Sequence, residues 1–310
     1  MVPFRNILVP LDGSGLAEKA LVPAGQIATA MSHHKDGEEK VRITLLRAVS
    51  PMAMLAADPY LYDEMMRMNV DEANAYLNGV ASTMSNIPAL IVTETTNGSP
   101  ADAIVQFAEE NGVDLIIMSS HGRTGSSRWV YGSVAEKVMH HASCATAIIR
   151  AHVEVSMFQN RRILVPLDGS ELAEQALEPA MALAATVNSE VYLLRVVVGR
   201  EPMPESLTPA GEQMEAAMGA ADARESSEAE TYLQQVYHRY NNQHLFFDVM
   251  HTNGDVADTI INYADQKNFD LIVMSSHGRS GIGRWLHGSV AEKVLRGANC
   301  ATLIVRDQKK

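Results

Sequence analysis

Cysteine is scarce in this chain. Two cysteines among 310 residues are too few for a disulfide framework. Cys144 and Cys300 occupy equivalent places in two halves of the chain, each just before a predicted final strand. A structural disulfide would therefore have to join equivalent points of two domains. We expect two small, buried core residues and a cytoplasmic protein.

Basic residues are outnumbered by acidic ones. The chain has 25 Lys and Arg against 37 Asp and Glu, a net charge of −12, and no basic tail or arm. This balance argues against binding to nucleic-acid phosphates. No apolar stretch reaches the roughly 18–20 residues of a membrane span, and the first residues lack the pattern of a signal peptide. We expect no nucleic-acid partner and no membrane partner.

Common signatures of phosphate chemistry are also missing. The sequence has no G-x-x-x-x-G-K-[ST] motif, which excludes a P-loop NTPase. No general base accompanied by a cluster of metal-binding carboxylates is visible, so we expect no catalytic residue and no metal site. Asp12 is the strongest carboxylate candidate, and it suits a ribose better than an attacking water. The sequence therefore predicts a protein that is not an enzyme.

The chain does contain a long internal repeat. Residues Ile7–Ser14 return unchanged as Ile163–Ser170, and Gly132–Val138 return as Gly288–Val294, both at an offset of 156 residues. Solenoid repeats are about 20–50 residues long, so this period indicates a duplicated domain. We place the first domain at residues 1–154 and the second at residues 155–310.

Each half alternates apolar strands with helices. This order predicts a doubly wound α/β domain: a five-stranded parallel sheet covered by helices on both faces. In the first half we expect strands at Ile7–Pro10, Val41–Val49, Leu90–Thr96, Asp114–Ser119 and Thr146–Arg150. The expected helices are Ser14–Ser32, Pro59–Ser85, Pro100–Asn111 and Gly132–His141.

Two loops should meet where the strands of such a sheet end. Asp12, in the first turn, suits the hydroxyls of a ribose, although an Asp there also satisfies nearby turn amides. The loop after the fourth strand carries Gly122 and Gly132, which permit close approach of a phosphate to a helix N-terminus. The alternative is structural, because Ser133–Glu136 and Ser289–Glu292 read as capping boxes that start a helix without a ligand.

These motifs resemble the universal stress protein family. The resemblance rests on a strand ending in Pro-x-Asp-x-Ser and on Gly-x9-Gly-Ser-Val-Ala-Glu-Lys-Val, and it covers essentially the whole chain as a tandem pair. It implies the adenine nucleotide alpha hydrolase-like fold, with strand order 3-2-1-4-5. It also implies ATP, with or without Mg, in each repeat, and a role as a nucleotide-dependent stress sensor or regulator.

The resemblance also implies site residues in both halves. The ATP-binding members have Gly-x-x-Gly-x9-Gly-[Ser/Thr], and this chain departs from that motif because its first glycine is Ser119, or Ser275 in the second copy. In the first half the expected residues are Pro10, Asp12, Ala48, Ser119, Gly122, Arg123, Gly132, Ser133 and Val134. In the second they are Pro166, Asp168, Val196, Ser275, Gly278, Arg279, Gly288, Ser289 and Val290.

Alternatives remain open at this point. One is a slow ATPase or nucleotide hydrolase, and another is a stress scaffold that has lost nucleotide binding because of Ser119 and Ser275. The last strands of the two halves, near Ala145–Ile149 and Ala301–Val305, would be exposed edges in isolated domains. We expect them to join the repeats as an intramolecular pseudo-dimer, and two chains to pair further as a homodimer.

Overall fold

The computed structural model describes residues 4–32, 40–50, 59–120, 132–150, 158, 161–199, 209–240, 243–276 and 289–306. Within these ranges, no helix is both long enough and apolar enough to cross a membrane.

The first repeat alternates strands and helices as expected. Its elements are β1 (Asn6–Pro10), α1 (Gly15–Glu18), α2 (Leu21–Ser32), β2 (Arg42–Val49), α3 (Pro59–Thr83), β3 (Leu90–Asn97), α4 (Pro100–Glu110), β4 (Leu115–Ser119), α5 (Ser133–His141) and β5 (Ala145–Ile149). The expected strands are each confirmed to within about one residue.

The second repeat has the same order of elements. They are β6 (Arg162–Pro166), α6 (Glu171–Glu174), α7 (Leu177–Val187), β7 (Glu190–Val198), α8 (Pro209–Tyr240), β8 (Leu245–Thr252), α9 (Val256–Gln266), β9 (Leu271–Ser275), α10 (Ser289–Gly297) and β10 (Ala301–Val305).

The helix expected over Ser14–Ser32 is divided in two. α1 ends at Glu18 and α2 begins at Leu21. Pro23, two residues into α2, has no N–H to donate to the carbonyl of Lys19, and its ring crowds that carbonyl. Pro179 lies at the equivalent place in α7 and accompanies the same break after α6. The apolar pattern of this segment continues through the break, which is why the pattern alone predicted one helix.

The strands form one ten-stranded sheet in the order β3-β2-β1-β4-β5-β10-β9-β6-β7-β8. Each repeat contributes five parallel strands in the order 3-2-1-4-5, so this prediction is confirmed. Alternate strand residues face opposite sides. Ile7 packs in one core with residues of α2 and α3, whereas Leu8 packs in the other core with residues of α4 and α5.

The two repeats join through their last strands. β5 and β10 pair antiparallel, with Ala147 opposite Leu303 and Thr146 opposite Ile304. Residues 147 and 303 are separated by the repeat offset of 156, so this pair lies on the pseudo-twofold axis. The expected pairing of the two edges within one chain is confirmed. Homodimer formation stays a prediction.

Helices and side chains reinforce this junction. On one face of the sheet α2 packs against α7. At the end of β5, the buried Arg150 donates through Nε to the carbonyl of Ala298 at 2.7 Å and through a second nitrogen to the carbonyl of Leu295. On the other face, Arg296 bonds to Glu136 of the first repeat at 3.0 Å. The junction thus combines backbone pairing, apolar packing and charged contacts.

The two cysteines are confirmed as buried core residues. Both are free thiols and pack in the same core as Val138 and Val294. Burial raises the pKa of the Cys144 thiol and of the Cys300 thiol to about 12 in each case. Neither thiol is therefore set up as a nucleophile.

Candidate nucleotide site

A cavity of about 530 Å³ opens where β1, β2 and β4 end. It is called the first-repeat cavity below. Seven of the nine site residues expected in this repeat line it: Pro10, Asp12, Ala48, Ser119, Gly132, Ser133 and Val134. The other two, Gly122 and Arg123, lie outside the described residues.

Asp12 is held by the first turn. Gly13 has a φ of +86°, a conformation that favours glycine. The Asp12 carboxylate accepts through Oδ1 from the backbone N–H of Ser14 at 2.9 Å and from its hydroxyl at 2.6 Å. The Ser14 hydroxyl in turn accepts from the N–H of Ala17 and caps α1. Asp12 thus has the structural role that the sequence left open, because it accepts hydrogen bonds within the turn, and it also lines the cavity.

Ser120 and Gly132 bring together the two ends of the loop after β4. The N–H of Gly132 donates to the carbonyl of Ser120 at 2.9 Å, and the N–H of Ser120 donates to the carbonyl of Ile149 at 2.8 Å. Residues 121–131 themselves are outside the described part of the chain. Because both loop ends are tied to the sheet, the start of α5 has a fixed place beside β4.

The capping-box prediction is wrong for the first repeat. Gly132, not Ser133, is the N-cap of α5, and Ser133 is the first helical residue. The N–H of Glu136 donates to the carbonyl of Gly132 at 3.0 Å, which starts the helix one residue earlier than the motif suggests. Gly132 has no side chain with which to cap this N-terminus, and no side-chain cap is present among the described residues. Ser133, Val134 and Ala135 line the cavity, and their amides, the first three of α5, have no intrahelical acceptor.

The glycine at position 132 is not needed for its backbone conformation. Its φ of −62° and ψ of 145° suit any residue. The absence of a side chain therefore needs another explanation, such as space for a group that approaches the first turn of α5 closely.

Five polar residues in the described cavity wall were not predicted from the sequence: Arg47, Ser50, Asn69, Glu72 and Ser120. Arg47 lies within β2, directly before Ala48, and Asn69 and Glu72 lie on α3. Arg47 bonds to Glu72 at 3.2 Å, and its guanidinium lies 5.2 Å from the ring centre of Tyr76. The arginine could have been suspected because it directly precedes Ala48, but no local pattern shows which face of α3 covers the strand ends.

The second repeat places its expected residues equivalently in the sheet. Pro166 pairs with Leu194 just as Pro10 pairs with Leu46, so Val196 takes the place of Ala48. Asp168 accepts from Ser170 with the same two distances as Asp12 from Ser14. Ser275 ends β9, and α10 begins with Ser289 and Val290. Gly278, Arg279 and Gly288 lie outside the described residues.

The described part of the cavity wall contains few acidic groups. Among the described wall residues the carboxylates are Asp12 and Glu72, and Glu72 is paired with Arg47. Over the described part of the chain, no group of three or more His, Cys, Asp or Glu side chains is placed to hold a metal ion.

The fold and cavity define a class of protein: a tandem pair of doubly wound α/β domains with a ligand-sized cavity at the carboxyl ends of the strands. The model of the universal stress protein family matches residues 3–150 and again residues 159–306. The chain therefore belongs to the universal stress protein family and carries two copies of its domain. The boundary that we place between residues 154 and 155 lies between the matched segments and stays a prediction.

Individual relatives agree with this assignment. A universal stress protein of Methanocaldococcus jannaschii is 33% identical over 149 residues, which are 47% of this chain and 82% of that protein. A universal stress protein of Mycolicibacterium smegmatis is 23% identical over 309 residues, or 97% of both chains. The crystal structure of a universal stress protein from Archaeoglobus fulgidus covers 98% of this chain and 97% of its own, with a TM-score of 0.64 and 22% identity.

Proposed function

We propose that each repeat binds an adenine nucleotide, with ATP as the ligand, and that the protein acts as a nucleotide-dependent stress sensor or regulator. The observation that carries this proposal is the N-terminus of α5, which has no side-chain cap among the described residues and whose first residues line the same cavity as Asp12. A helix N-terminus attracts anions through its free amides and its dipole. Asp12 can accept hydrogen bonds from ribose hydroxyls.

The dimensions and chemistry of the cavity support a nucleotide. Its volume of about 530 Å³ lies within the usual range of small-molecule sites. Apolar side chains of Leu46, Ala48 and Val49 form one end of the wall, which suits a base. The amides of Ser133 and Val134 are at the α5 end, which suits phosphates. In this proposal the carboxylate of Asp12 contacts the ribose, the side chains of β2 contact the base and α5 contacts the phosphates.

Ser119, which stands where the family motif has its first glycine, does not close this cavity. Ser119 stays in the regular ladder of β4, opposite Ile149, and forms part of the cavity wall. Its hydroxyl is therefore compatible with an open site, which favours nucleotide binding over the scaffold alternative.

Sensing fits the described residues better than hydrolysis. Phosphoryl transfer needs a group that positions water and metal-held phosphates. In the described part of the cavity wall, the phosphate end offers amides and the Ser133 hydroxyl, which hold charge without activating water. We therefore propose binding with little or no turnover.

Replacing Ser133 by proline tests the site directly. Proline is well tolerated at the first position of a helix, and the extended conformation of Gly132 suits a residue before proline. Ser133→Pro removes one amide donor while leaving the helix start intact, so we expect ATP binding to the first repeat to weaken about 10–100-fold by calorimetry. Ser133→Ala is the matched control, because it keeps the amide and removes only the hydroxyl.

The nucleotide recovered from purified protein separates the alternatives. Mass spectrometry of gently denatured protein should show ATP under the sensor proposal. ADP or AMP, together with sustained phosphate release that Asp12→Ala abolishes, would favour a hydrolase. A protein that carries no nucleotide and binds no added ATP would favour the scaffold.

A further inference from the structure

The helices α3 and α8 keep equivalent contacts at the 156-residue offset although many of their residues differ. Tyr76 of α3 donates to Glu18, and Tyr232 of α8 donates to Glu174. The buried residues of α3 also return 156 positions later in α8: Ala73 as Ala229, Leu77 as Leu233, and Val80 as Val236. Residues of α8 can therefore be assigned to places in the second site from their counterparts in α3.

This correspondence places an additional carboxylate at the second site. Asn69 lines the first-repeat cavity, and its counterpart in α8 is Glu225. Both residues are partly buried. Glu72 is likewise replaced by Glu228, which keeps the charge. The α3 side of the first cavity thus offers one carboxylate, whereas the equivalent side of the second offers two.

The equivalent arginines of the two repeats, Arg47 and Arg195, also make different contacts. In the first repeat, Arg47 pairs with Glu72 at 3.2 Å and offsets its charge. In the second, Arg195 is buried and donates to the carbonyl of Leu167 at 3.3 Å. Glu228 pairs instead with Arg224 of its own helix at 2.8 Å, and that arginine side chain is 81% exposed. The direct ion pair of Glu228 is therefore with a solvent-screened arginine of its own helix, which is a weaker contact than the pair of Glu72 with the strand arginine.

The strand side of the second site is bulkier as well. By the register of β2 and β7, Ala48 corresponds to Val196, and Ser50 corresponds to Val198. Both changes add apolar volume at the carboxyl end of β7, the strand equivalent to β2. Neither change adds a donor for a phosphate.

We propose that the two repeats bind nucleotide unequally: the first is the stronger site for ATP, and the exchange of Asn69 for Glu225 is the main determinant. This inference rests on the proposed function and specifies its regulation. A carboxylate repels a polyphosphate through the low-dielectric edge of the site. The difference between the repeats should therefore grow with the number of phosphates, from adenosine to AMP to ATP.

Calorimetry on the full chain can measure the ATP affinity of each site separately. Ser289→Pro weakens the second site and leaves the first to be measured, and Ser133→Pro does the reverse. We expect the ATP dissociation constant of the second site to be about tenfold higher or more. Adenosine should show a smaller difference between the two sites.

Charge exchange then tests the determinant. In the Ser289→Pro background, Asn69→Glu should weaken ATP binding about tenfold, and in the Ser133→Pro background, Glu225→Gln should strengthen it by a similar factor. Ala75→Glu and Glu230→Gln make the same charge changes at exposed places on α3 and α8, and they should have little effect. Circular dichroism of each variant confirms that it is folded.

The outcomes distinguish the two proposals. Two sites of equal ATP affinity would overturn the inference while supporting the proposed function. Unequal sites that do not respond to the exchanges at positions 69 and 225 would overturn the assigned determinant. A chain that binds no ATP at either site would remove the proposed function, and this inference with it.

Discussion

The hydroxyl of Tyr76 donates a hydrogen bond to the carboxylate of Glu18 at 2.9 Å. It ties the long helix α3 to the short helix α1, which follows the turn containing Asp12. Tyr232 makes the same bond to Glu174 at 3.1 Å. Burial, together with the neighbouring carboxylate, raises the pKa of both tyrosines, so each hydroxyl keeps its proton and remains a donor. The contact therefore holds the helix that covers each site in place.

Removing this tyrosine hydroxyl should lower the free energy of unfolding more in the first repeat than in the second. Tyr76→Phe should lower the free energy of unfolding by about 1.5–3 kcal/mol, the range for a hydrogen bond to a charged group. Tyr232→Phe should cost less, because Glu174 keeps an ion pair with Arg239. Urea denaturation of both variants measures the difference. Equal losses, or a larger loss for Tyr232→Phe, would contradict this assignment.

Asp114 should make stability depend on pH. Its carboxylate accepts from the N–H groups of Arg5 and Asn6 at 2.7 and 3.0 Å, yet its Oδ1 is buried without a partner among the described residues. Burial raises the pKa of Asp114 from the ordinary 3.8 to about 6. The folded state thus holds this proton more tightly than the unfolded state, so its contribution is present below about pH 4 and is lost as pH rises through about 6.

The variant Asp114→Asn isolates this effect. The amide carbonyl can still accept from the two backbone N–H groups, and it does not ionise. Relative to this variant, the unmodified protein should lose up to about 3 kcal/mol of unfolding free energy between pH 4 and pH 6.5. Asp71→Asn, at an exposed place on α3, is the control. A constant difference between protein and variant across that range would show that Asp114 does not titrate there.

The two thiols should be unreactive in the folded protein. Burial raises the pKa of both Cys144 and Cys300 to about 12, so the thiolate that attacks disulfide reagents is scarce at pH 8. Labelling with a chromogenic aromatic disulfide should detect less than about one tenth of a thiol per chain in an hour under native conditions. Both thiols should react after unfolding in urea. Rapid labelling of one thiol in the native protein would indicate local opening at that strand.

The separate halves should associate with each other. A first-repeat fragment, residues 1–154, exposes the edge of β5 and should self-associate, because an unpaired edge strand seeks a partner. Pairing with the fragment of residues 155–310 should be stronger, because only that combination places Arg296 beside both Glu136 and Glu292. Sedimentation of each fragment and of their mixture at tens of micromolar tests this. A monomeric first fragment, with native circular dichroism, would contradict the edge-pairing argument.

The sequence predicted the strands and much of the site because both depend on local patterns. Short apolar runs and their turn residues locate β1 and β4, and parallel strands bring their carboxyl ends together. Pro10, Asp12 and Ser119 therefore line one cavity, as expected. The helix α5 was expected from Gly132 and begins at Ser133. The Ser-x-x-Glu pattern suggested Ser133 as the N-cap, because it cannot reveal that Gly132 already accepts the first helical hydrogen bond.

Tertiary contacts were the part that local patterns could not supply. The face that α3 turns to the strand ends depends on packing, so Arg47, Asn69 and Glu72 were not found. One signal was available: applying the 156-residue offset to the divergent middle of the chain shows that Glu18 and Tyr76 both recur. The recurrence of both residues indicates a contact shared by the two repeats. It does not show that the exchange of Asn69 for Glu225 affects a ligand.

Ala147 and Leu303 meet on the pseudo-twofold axis, and both are almost fully buried. Two identical chains joined along this strand would place the same residue on both sides: two alanines leave a gap, and two leucines compete for one space. When the two copies are fused in one chain this restriction is removed, because a substitution changes the residue on only one side of the axis. A small residue can then complement a large one through single mutational steps. The covalent link thus allows the two halves to accept different substitutions at equivalent positions of one continuous sheet.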